Sequence, residues 1–311
     1  MRVVFMGTPQ FAVPSLEALA GVSDVVGVFT RRDSVSGRGR SFRPSPVKCA
    51  ATELGLPVFQ PHTLRDPEAH AMLASLAPDL MVVAAYGLLL PPEVLEVAGL
   101  GAVNVHASLL PRWRGAAPIQ RAILARDRRI GVSIMRMEVG LDTGPYCLQL
   151  ATDVGQANAE QLTSRLAGLG AAALIEALPS IAGGSAVWTP QDEALVTYAE
   201  KISKEDVAIA PGVLVADAIL RVRASSAAAP CRVIIANRTV TVLGAEPSDQ
   251  AVDGAPIRGT AAATTRGVLL GMADGGLLVT RLRPDGKGEM AASDWARGVR
   301  DIAGATWGRS L

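Results

Sequence analysis

Cysteine, histidine and aromatic residues are all scarce in this chain of 311 residues. It contains three cysteines and three histidines, and aromatic residues make up 4% of the total. Cys49, Cys147 and Cys231 lie far apart and match no metal-ligand spacing, which argues against a cysteine-based metal site. We therefore expect reduced, buried thiols and no bound metal.

A strong excess of one charge and a long apolar run are also missing. The net charge is +1, so a nucleic-acid partner must be bound through a local patch. The N-terminal apolar run is too short for a signal peptide, and no run reaches the roughly 18–20 residues of a membrane span. Glu176 and Pro179 interrupt the apolar region 166–182, which favours a core helix there. We expect a soluble, cytoplasmic monomer without a membrane partner.

The first half of the chain contains strand and helix patterns in alternation. Strand patterns at 2–6, 25–30, 57–59, 80–86 and 102–106 alternate with helical patterns at 14–20, 46–54, 67–76 and 92–97. This order predicts an α/β fold, a Rossmann-like and mostly parallel sheet with helices on both faces. The G-x-G-x-x-G fingerprint is absent, which disfavours a nicotinamide-dependent dehydrogenase.

The second half changes character after a long amphipathic helix. A strand pair or hairpin is predicted at 145–154, and Asn158 is expected to cap a helix that runs to about residue 181. Five short strand patterns separated by turn residues follow a helix at 213–223, and they predict a small β-barrel, OB-like in kind. The resulting organisation is a first domain at 1–186, a polar linker at 187–205 and a barrel domain at 206–311.

The stretch 101–142 holds the residues best suited to chemistry. Asn104 and His106 are two residues apart in a strand pattern, so they point to the same face. Asp142 follows the next apolar run in a loop bounded by glycines. In a parallel sheet the ligand crevice lies at the carboxyl ends of the strands. An amide, an imidazole and a carboxylate there form a candidate proton-handling site, although the histidine could be structural and the aspartate could serve a turn.

A basic segment at 31–48 is the second candidate. It carries six Arg or Lys residues against one acid, Asp33, and its glycines and prolines prevent regular structure. A solvated surface loop and a phosphate-binding loop both fit this composition.

The motifs NVHASLLPRWRGAAPIQ and GLDTG resemble the folate-dependent formyltransferases. The segments MGTPQFAVPSLEAL, SGRGRSFRPSPVK, LVTYAEKISKE and LRPDGKGEM are similar to the methionyl-tRNA formyltransferase branch in the same order, so the likeness covers nearly the whole chain. The resemblance implies that a folate-binding catalytic domain and a tRNA-binding barrel flank the linker. It also implies transfer of the formyl group of 10-formyltetrahydrofolate to the α-amino group of methionyl initiator tRNA, for translation initiation.

The resemblance assigns roles to the three polar residues. Amine attack on a formyl carbon develops negative charge on oxygen, and Asn104 can donate an N–H to it. His106 can donate there too or pass a proton to the departing folate nitrogen, since its unperturbed pKa lies near neutrality. Asp142 can orient the imidazole and accept the proton that the attacking ammonium loses.

Substrate-binding residues follow from the same likeness. Ser108, Leu109, Leu110 and Pro111 are expected to cradle the folate, with 85–91 and 139–141 on the pterin side. Arg38 is expected to reach the acceptor end of the tRNA, with Arg40 and Lys48 as lesser phosphate contacts.

Four other functions remain open. A formyltransferase acting on a sugar or ribonucleotide amine would keep the three polar residues but need neither basic loop nor barrel. A hydrolase releasing formate could use the same three residues. A silent tRNA-binding protein would not require them, and a dehydrogenase lacks its fingerprint.

Overall fold

The chain divides into two units. The computed structural model describes residues 1–36, 41–248 and 257–310. The first unit comprises Met1–Pro118, Arg129–Asp153 and Leu162–Ala199. The second comprises Ile119–Arg128, Val154–Gln161 and Glu200–Leu311.

The elements up to residue 199 alternate between strand and helix. The strands are β1 (Arg2–Gly7), β2 (Asp24–Phe29), β3 (Ser34–Ser36), β4 (Ser41–Arg43), β5 (Val58–Phe59), β6 (Leu80–Ala84), β7 (Ala102–His106), β8 (Arg114–Gly115), β9 (Arg129–Arg136), β10 (Tyr146–Asp153) and β11 (Tyr198–Ala199). The helices are α1 (Val13–Ala20), α2 (Pro46–Glu53), α3 (Pro67–Ser75), α4 (Pro92–Leu95), α5 (Pro118–Leu124) and α6 (Ala159–Ala182). Short 3-10 turns lie at Gln10–Ala12 and Glu193–Leu195.

The main sheet of the first unit has seven strands in the order β10-β9-β7-β6-β1-β2-β5. From β7 to β5 all neighbours are parallel, while β9 is antiparallel to β7 and β10 is antiparallel to β9. The predicted Rossmann-like, mostly parallel sheet is confirmed. Residues 145–154, predicted as a strand pair or hairpin, contain a single strand, because β10 pairs with β9 along its length rather than folding back on itself.

Local chemistry explains where several helices begin. Proline occupies the first turn of α2, α3 and α4, where its missing N–H costs no hydrogen bond. The N-cap of α2 is Ser45, whose hydroxyl accepts the Lys48 N–H at 3.0 Å. Asn158 and Gln161 exchange side-chain and backbone hydrogen bonds of 3.0 and 2.9 Å at the start of α6, which confirms the predicted cap.

Helix α6 is a core helix of the first unit over most of its length. Gly170 lies so close to the sheet that a Cβ there would be 2.7 Å from the Val105 side chain. By length and composition alone α6 could cross a membrane, so the expectation that no segment is long and apolar enough is wrong on those two measures. Half of its most apolar part is buried inside the protein, as a core helix requires.

The second unit is built around a closed antiparallel barrel. Its strands are β12 (Arg232–Ile235), β13 (Arg238–Ser248), β14 (Thr260–Ala263), β15 (Val268–Gly271), β16 (Gly276–Pro284), β17 (Met290–Ala291) and β18 (Ala305–Arg309), and its helices are α7 (Val215–Ala224) and α8 (Ala292–Arg297). Six strands run in the order β13-β12-β18-β14-β15-β16, and the β13–β16 pairing closes the ring. Apolar side chains fill the interior, with Trp295 and Trp307 among them. The predicted small barrel is confirmed.

The cysteines are free, but they are not all buried as expected. Cys231 is buried, Cys147 is half-buried and Cys49 is exposed. Cys49 lies on α2, whose buried side is formed by Val47, Ala50 and Ala51, so the cysteine position faces solvent.

Candidate active site

Strand β7 presents its two faces to different surroundings. Val105 points toward α6, where it packs against Gly170. Asn104 and His106 lie on the opposite face, as strand alternation predicts. Asn104 is half-buried, and its side-chain amide has no hydrogen-bond partner among the described residues. This amide is therefore available to a bound molecule.

His106 is held at one ring nitrogen and left open at the other. Its Nε2 lies 3.0 Å from the carbonyl oxygen of Trp113. A carbonyl oxygen can only accept, so Nε2 carries the hydrogen in this bond. The neutral ring then has its lone pair on Nδ1, which lies 3.7 Å from Oδ2 of Asp142. Nδ1 is the nitrogen that can take up or release a proton beside a carboxylate.

Asp142 is anchored through its side chain and through its backbone. Its Oδ2 accepts the Gly115 N–H at 2.8 Å. Its carbonyl oxygen accepts Nε2 of Gln191 at 2.8 Å, and the same amide nitrogen lies 2.7 Å from the Gly144 carbonyl oxygen. The imidazole is 6% exposed and the carboxylate 17%, so both are largely shielded from water.

Gly115 has to be glycine for this arrangement. Its φ is +119°, and a Cβ there would lie 2.9 Å from the Ala199 carbonyl oxygen. Strands β8 and β11 pair side by side at this point. The close approach of the two backbones brings the Gly115 N–H to the carboxylate of Asp142.

Both neighbours of the imidazole have left-handed backbone conformations. The φ angles are 64° at Trp113 and 52° at Asp142. A non-glycine residue in this region costs about 1–3 kcal/mol, and the surrounding structure must hold it there. The Trp113 N–H donates to Oγ1 of Thr197 at 2.9 Å. Together with the Gln191 bond to Asp142, this places the holding groups in residues 191–199.

Residues 191–199 belong to a region predicted only as a linker. Besides Gln191 and Thr197, this segment supplies Glu193, which forms an ion pair of 2.8 Å with the buried guanidinium of Arg114. Arg114 also donates from Nε to Oε1 of Gln191 at 2.9 Å. The segment has hydrogen-bonding side chains but no period, so sequence reasoning had no signal for its partners and missed these residues.

The Ser108–Pro111 turn, predicted to cradle the folate, is held by hydrogen bonds to Arg112 and Ser133. The Ser108 hydroxyl donates to the Arg112 carbonyl oxygen at 2.6 Å. Ser133 donates to the Ser108 carbonyl oxygen at 2.7 Å and accepts the Leu110 N–H at 3.1 Å. Ser108 and Leu110 are buried, while Leu109 and Pro111 are half-buried. Folate binding by these four residues stays a prediction.

Of the three predicted tRNA contacts, one lies among the described residues. Arg38 and Arg40 lie outside the described residues. Lys48 is described, and its Nζ donates to Asp33 at 2.7 and 2.9 Å and to Oε1 of Gln60 at 2.9 Å. The hydrogen bonds from Lys48 and Gln60 lower the pKa of the Asp33 carboxyl. The ammonium of Lys48 is therefore already neutralised at the base of the basic loop.

Exposed apolar side chains occur in the two loops predicted to line the pterin side. Leu89, Val139 and Leu141 are each more than half exposed. Such side chains suit a flat, partly apolar ligand. Across the described ranges, no group of three or more His, Cys, Asp or Glu side chains could hold a metal ion.

Comparison with known families matches both units. A model described as "Formyl transferase" matches residues 1–178, and one described as "Formyl transferase, C-terminal domain" matches residues 201–300. A methionyl-tRNA formyltransferase of Methylococcus capsulatus is 46% identical over 297 residues, which cover 95% of this chain and 96% of that protein. One of Xanthomonas campestris is 47% identical over 305 residues, covering 97% and 99%.

Solved structures share the fold at low identity. HypX of Aquifex aeolicus, in complex with tetrahydrofolic acid, has a TM-score of 0.67 and 17% identity over 97% of this chain and 47% of HypX, so the chain spans about half of its length. The sugar 3N-formyl transferase WlaRD has a TM-score of 0.65 and 16% identity over 93% of this chain and 99% of its own. At these identities the likeness concerns the fold alone.

Proposed function

The chain belongs to the formyl transferase family, and we propose that it transfers the formyl group of 10-formyltetrahydrofolate to the α-amino group of methionyl initiator tRNA. The product is N-formylmethionyl-tRNA for translation initiation. The observation that carries the proposal is identity of 46% and 47% to proteins named methionyl-tRNA formyltransferase over nearly the whole length of both chains. The enzyme is proposed to act in the cytoplasm as a monomer.

Asn104 is proposed to stabilise the developing oxyanion. Attack of the amine on the formyl carbon moves an electron pair onto the formyl oxygen. The Asn104 amide lies on the same face of β7 as His106 and has no competing hydrogen bond in the described part of the chain. A fixed N–H donor aimed at this oxygen stabilises the transition state more than the ground state.

His106 and Asp142 are proposed to carry a proton from the attacking amine to the departing folate nitrogen. The amine nitrogen becomes positively charged as it bonds to the formyl carbon, and it loses a proton to Asp142, directly or through water. Nδ1 of His106 takes up this proton from the neighbouring carboxylate, and His106 donates it to the folate nitrogen as the bond between that nitrogen and the carbon breaks. The hydrogen bond from Nε2 to the Trp113 carbonyl oxygen leaves Nδ1 as the exchanging atom. Nδ1 lies 3.7 Å from the Asp142 carboxylate, so the two proton-exchanging groups are neighbours.

The folate is proposed to bind against the Ser108, Leu109, Leu110 and Pro111 turn and the two exposed apolar loops. Because the Ser108 hydroxyl donates to Arg112, the turn contributes its shape and its apolar atoms rather than a free hydroxyl. Leu89, Val139 and Leu141 provide exposed apolar surface for the ring.

The tRNA is proposed to be bound by the basic loop and by the barrel. Arg38 would reach the acceptor end and Arg40 a phosphate, since arginine pairs with phosphate through several N–H donors. Lys48 already bonds to Asp33 and Gln60, so it would support tRNA binding by holding the end of the basic segment rather than by a strong phosphate contact of its own. The barrel would add contacts farther along the tRNA.

The deciding assay offers 10-formyltetrahydrofolate together with methionyl initiator tRNA, a sugar amine or a ribonucleotide amine. We expect formylated methionyl-tRNA, no formylation of the other amines and no turnover by His106→Ala. Formylation of a small amine with no product on tRNA would identify a formyltransferase that acts on sugar or ribonucleotide amines. Formate release without an acceptor would identify a hydrolase.

A further inference from the structure

Gln191 connects the loop that carries Asp142 to the rest of the first unit. Gln191 reaches it with a single amide nitrogen, which donates to the carbonyl oxygens of Asp142 at 2.8 Å and Gly144 at 2.7 Å. These two carbonyl groups span the end of the loop. A side chain that bonds to both fixes the backbone on which the carboxylate stands.

Gln191 is itself held from behind. Its Oε1 accepts the Nε hydrogen of Arg114 at 2.9 Å, and Arg114 is only 2% exposed. A buried guanidinium cannot rotate freely, so it sets the direction in which the Gln191 amide points. The residue after Arg114 donates its backbone N–H to the Asp142 carboxylate. Asp142 is thus linked twice to the short strand β8: its carboxylate bonds to Gly115, and its backbone carbonyl group is linked to Arg114 by way of Gln191.

We propose that Gln191 is a positioning residue for formyl transfer, holding the Asp142 carboxylate against Nδ1 of His106 through its hydrogen bonds to the Asp142 and Gly144 carbonyl groups. This inference rests on the proposed function, because it concerns the same reaction. It gives a positioning role in the reaction to a segment whose composition predicts only a linker.

The amide is the chemical group that this position requires. It donates two hydrogens toward the loop and accepts one from Arg114, which a hydroxyl, a carboxylate or an amine cannot do with the same shape. Glutamate would keep the contact with Arg114 but place a carboxylate oxygen against two carbonyl oxygens. Methionine would keep the length and lose every hydrogen bond.

The test compares Gln191→Glu, Gln191→Met and the milder Gln191→Asn with the wild-type enzyme. Gln156→Glu is the matched control, since Gln156 is exposed in a turn and the substitution adds the same charge there. We expect kcat to fall about 10–100-fold in the glutamate and methionine variants, because a small misplacement of a reacting group has this effect. Both KM values should change little, and the limb of the pH–rate profile that belongs to Asp142 should shift.

A second measurement separates positioning from general stability. In an Asp142→Asn background, Gln191→Met should cost less than about twofold more, since residues acting through one another are not additive. If the kcat loss of the double variant equals the product of the two single losses, the inference is overturned. Wild-type kcat in the folded glutamate and methionine variants would also overturn it. If these two variants lose the folded state, the same readouts on Gln191→Asn decide. A wild-type enzyme that does not formylate the tRNA would instead overturn the proposed function.

Discussion

The Nε2–H of His106 donates a 3.0 Å hydrogen bond to the carbonyl oxygen of Trp113. This bond decides which imidazole nitrogen can exchange a proton with the reactants. Trp113 is in turn held by Thr197, whose hydroxyl accepts its N–H at 2.9 Å. The protonation chemistry of the histidine therefore depends on a backbone carbonyl group and on a segment more than eighty residues away in the sequence.

Replacing Asn104 by alanine should lower kcat by about 10²–10³, the usual cost of removing one oxyanion donor. The KM for tRNA should stay close to the wild-type value, because the amide acts on the formyl oxygen in the transition state. Steady-state kinetics with both substrates varied will measure this. A raised KM for folate at unchanged kcat would instead show that Asn104 only binds the donor.

Asp142→Asn should lower kcat by about 10²–10⁴, the range of general acid–base catalysis, and remove one limb of the pH–rate profile. The asparagine oxygen can still accept the Gly115 N–H, so the loop should keep its conformation. Asp24→Asn is the control, because Asp24 is exposed at the amino end of β2, away from the carboxyl ends of the strands. Near-normal turnover with both limbs retained would rule out the role given to Asp142.

Lys48 and Arg38 should differ in the salt dependence of tRNA affinity. Each phosphate contact contributes about 0.7–0.9 to the slope of log affinity against log salt. Arg38→Ala should lower the slope by about that amount. Lys48→Met should lower it less, because its ammonium is already bonded to Asp33 and Gln60. Titration of tRNA binding at several salt concentrations will compare them, and equal losses of slope would place Lys48 on a phosphate.

Asp206 should make the second unit sensitive to acid. Burial raises the pKa of its carboxyl, but hydrogen bonds from the Ser203 backbone and from Arg121 outweigh burial and leave the pKa below its usual value. A lowered folded pKa stabilises the protein above the unfolded value of about 3.9, and the stabilisation disappears as the pH falls through the folded pKa. Asp206→Asn should lower the free energy of unfolding at pH 7 by about 1–2 kcal/mol and flatten its dependence below about pH 4.

Chemical denaturation at a series of pH values measures this effect. Asp217→Asn is the matched control, because its ion pair with Arg126 lies largely in solvent and exposed pairs contribute little. Equal behaviour of the two variants would contradict the special role of Asp206.

The three thiols should react with a thiol probe in a set order. Cys49 is exposed and should react first. Burial raises the pKa of Cys147, and it raises that of Cys231 to about 12, so less thiolate is present at each. We expect fast labelling lost in Cys49→Ser, slower labelling at Cys147 and labelling of Cys231 only after unfolding. Mass spectrometry of labelled peptides will show the order, and early labelling of Cys231 would contradict it.

The sequence alone was sufficient for the architecture and for the positions of Asn104 and His106. Hydrophobic periodicity depends on neighbours two to four residues away, so it can be recognised without knowledge of the fold. Strand alternation predicted that both side chains lie on one face of β7, and the rule for parallel sheets predicted a site at the carboxyl ends of the strands. Family motifs then indicated the chemistry.

Only the tertiary structure decided the contacts that hold the site together. The bond from Gln191 to the Asp142 carbonyl group joins residues 49 apart, and the Trp113 bond to Thr197 joins residues 84 apart. Such pairs follow from the path of the backbone, because a polar side chain without periodicity does not reveal its partner. The same reason applies to Lys48, whose charge is visible in the sequence while its neutralisation by Asp33 is not.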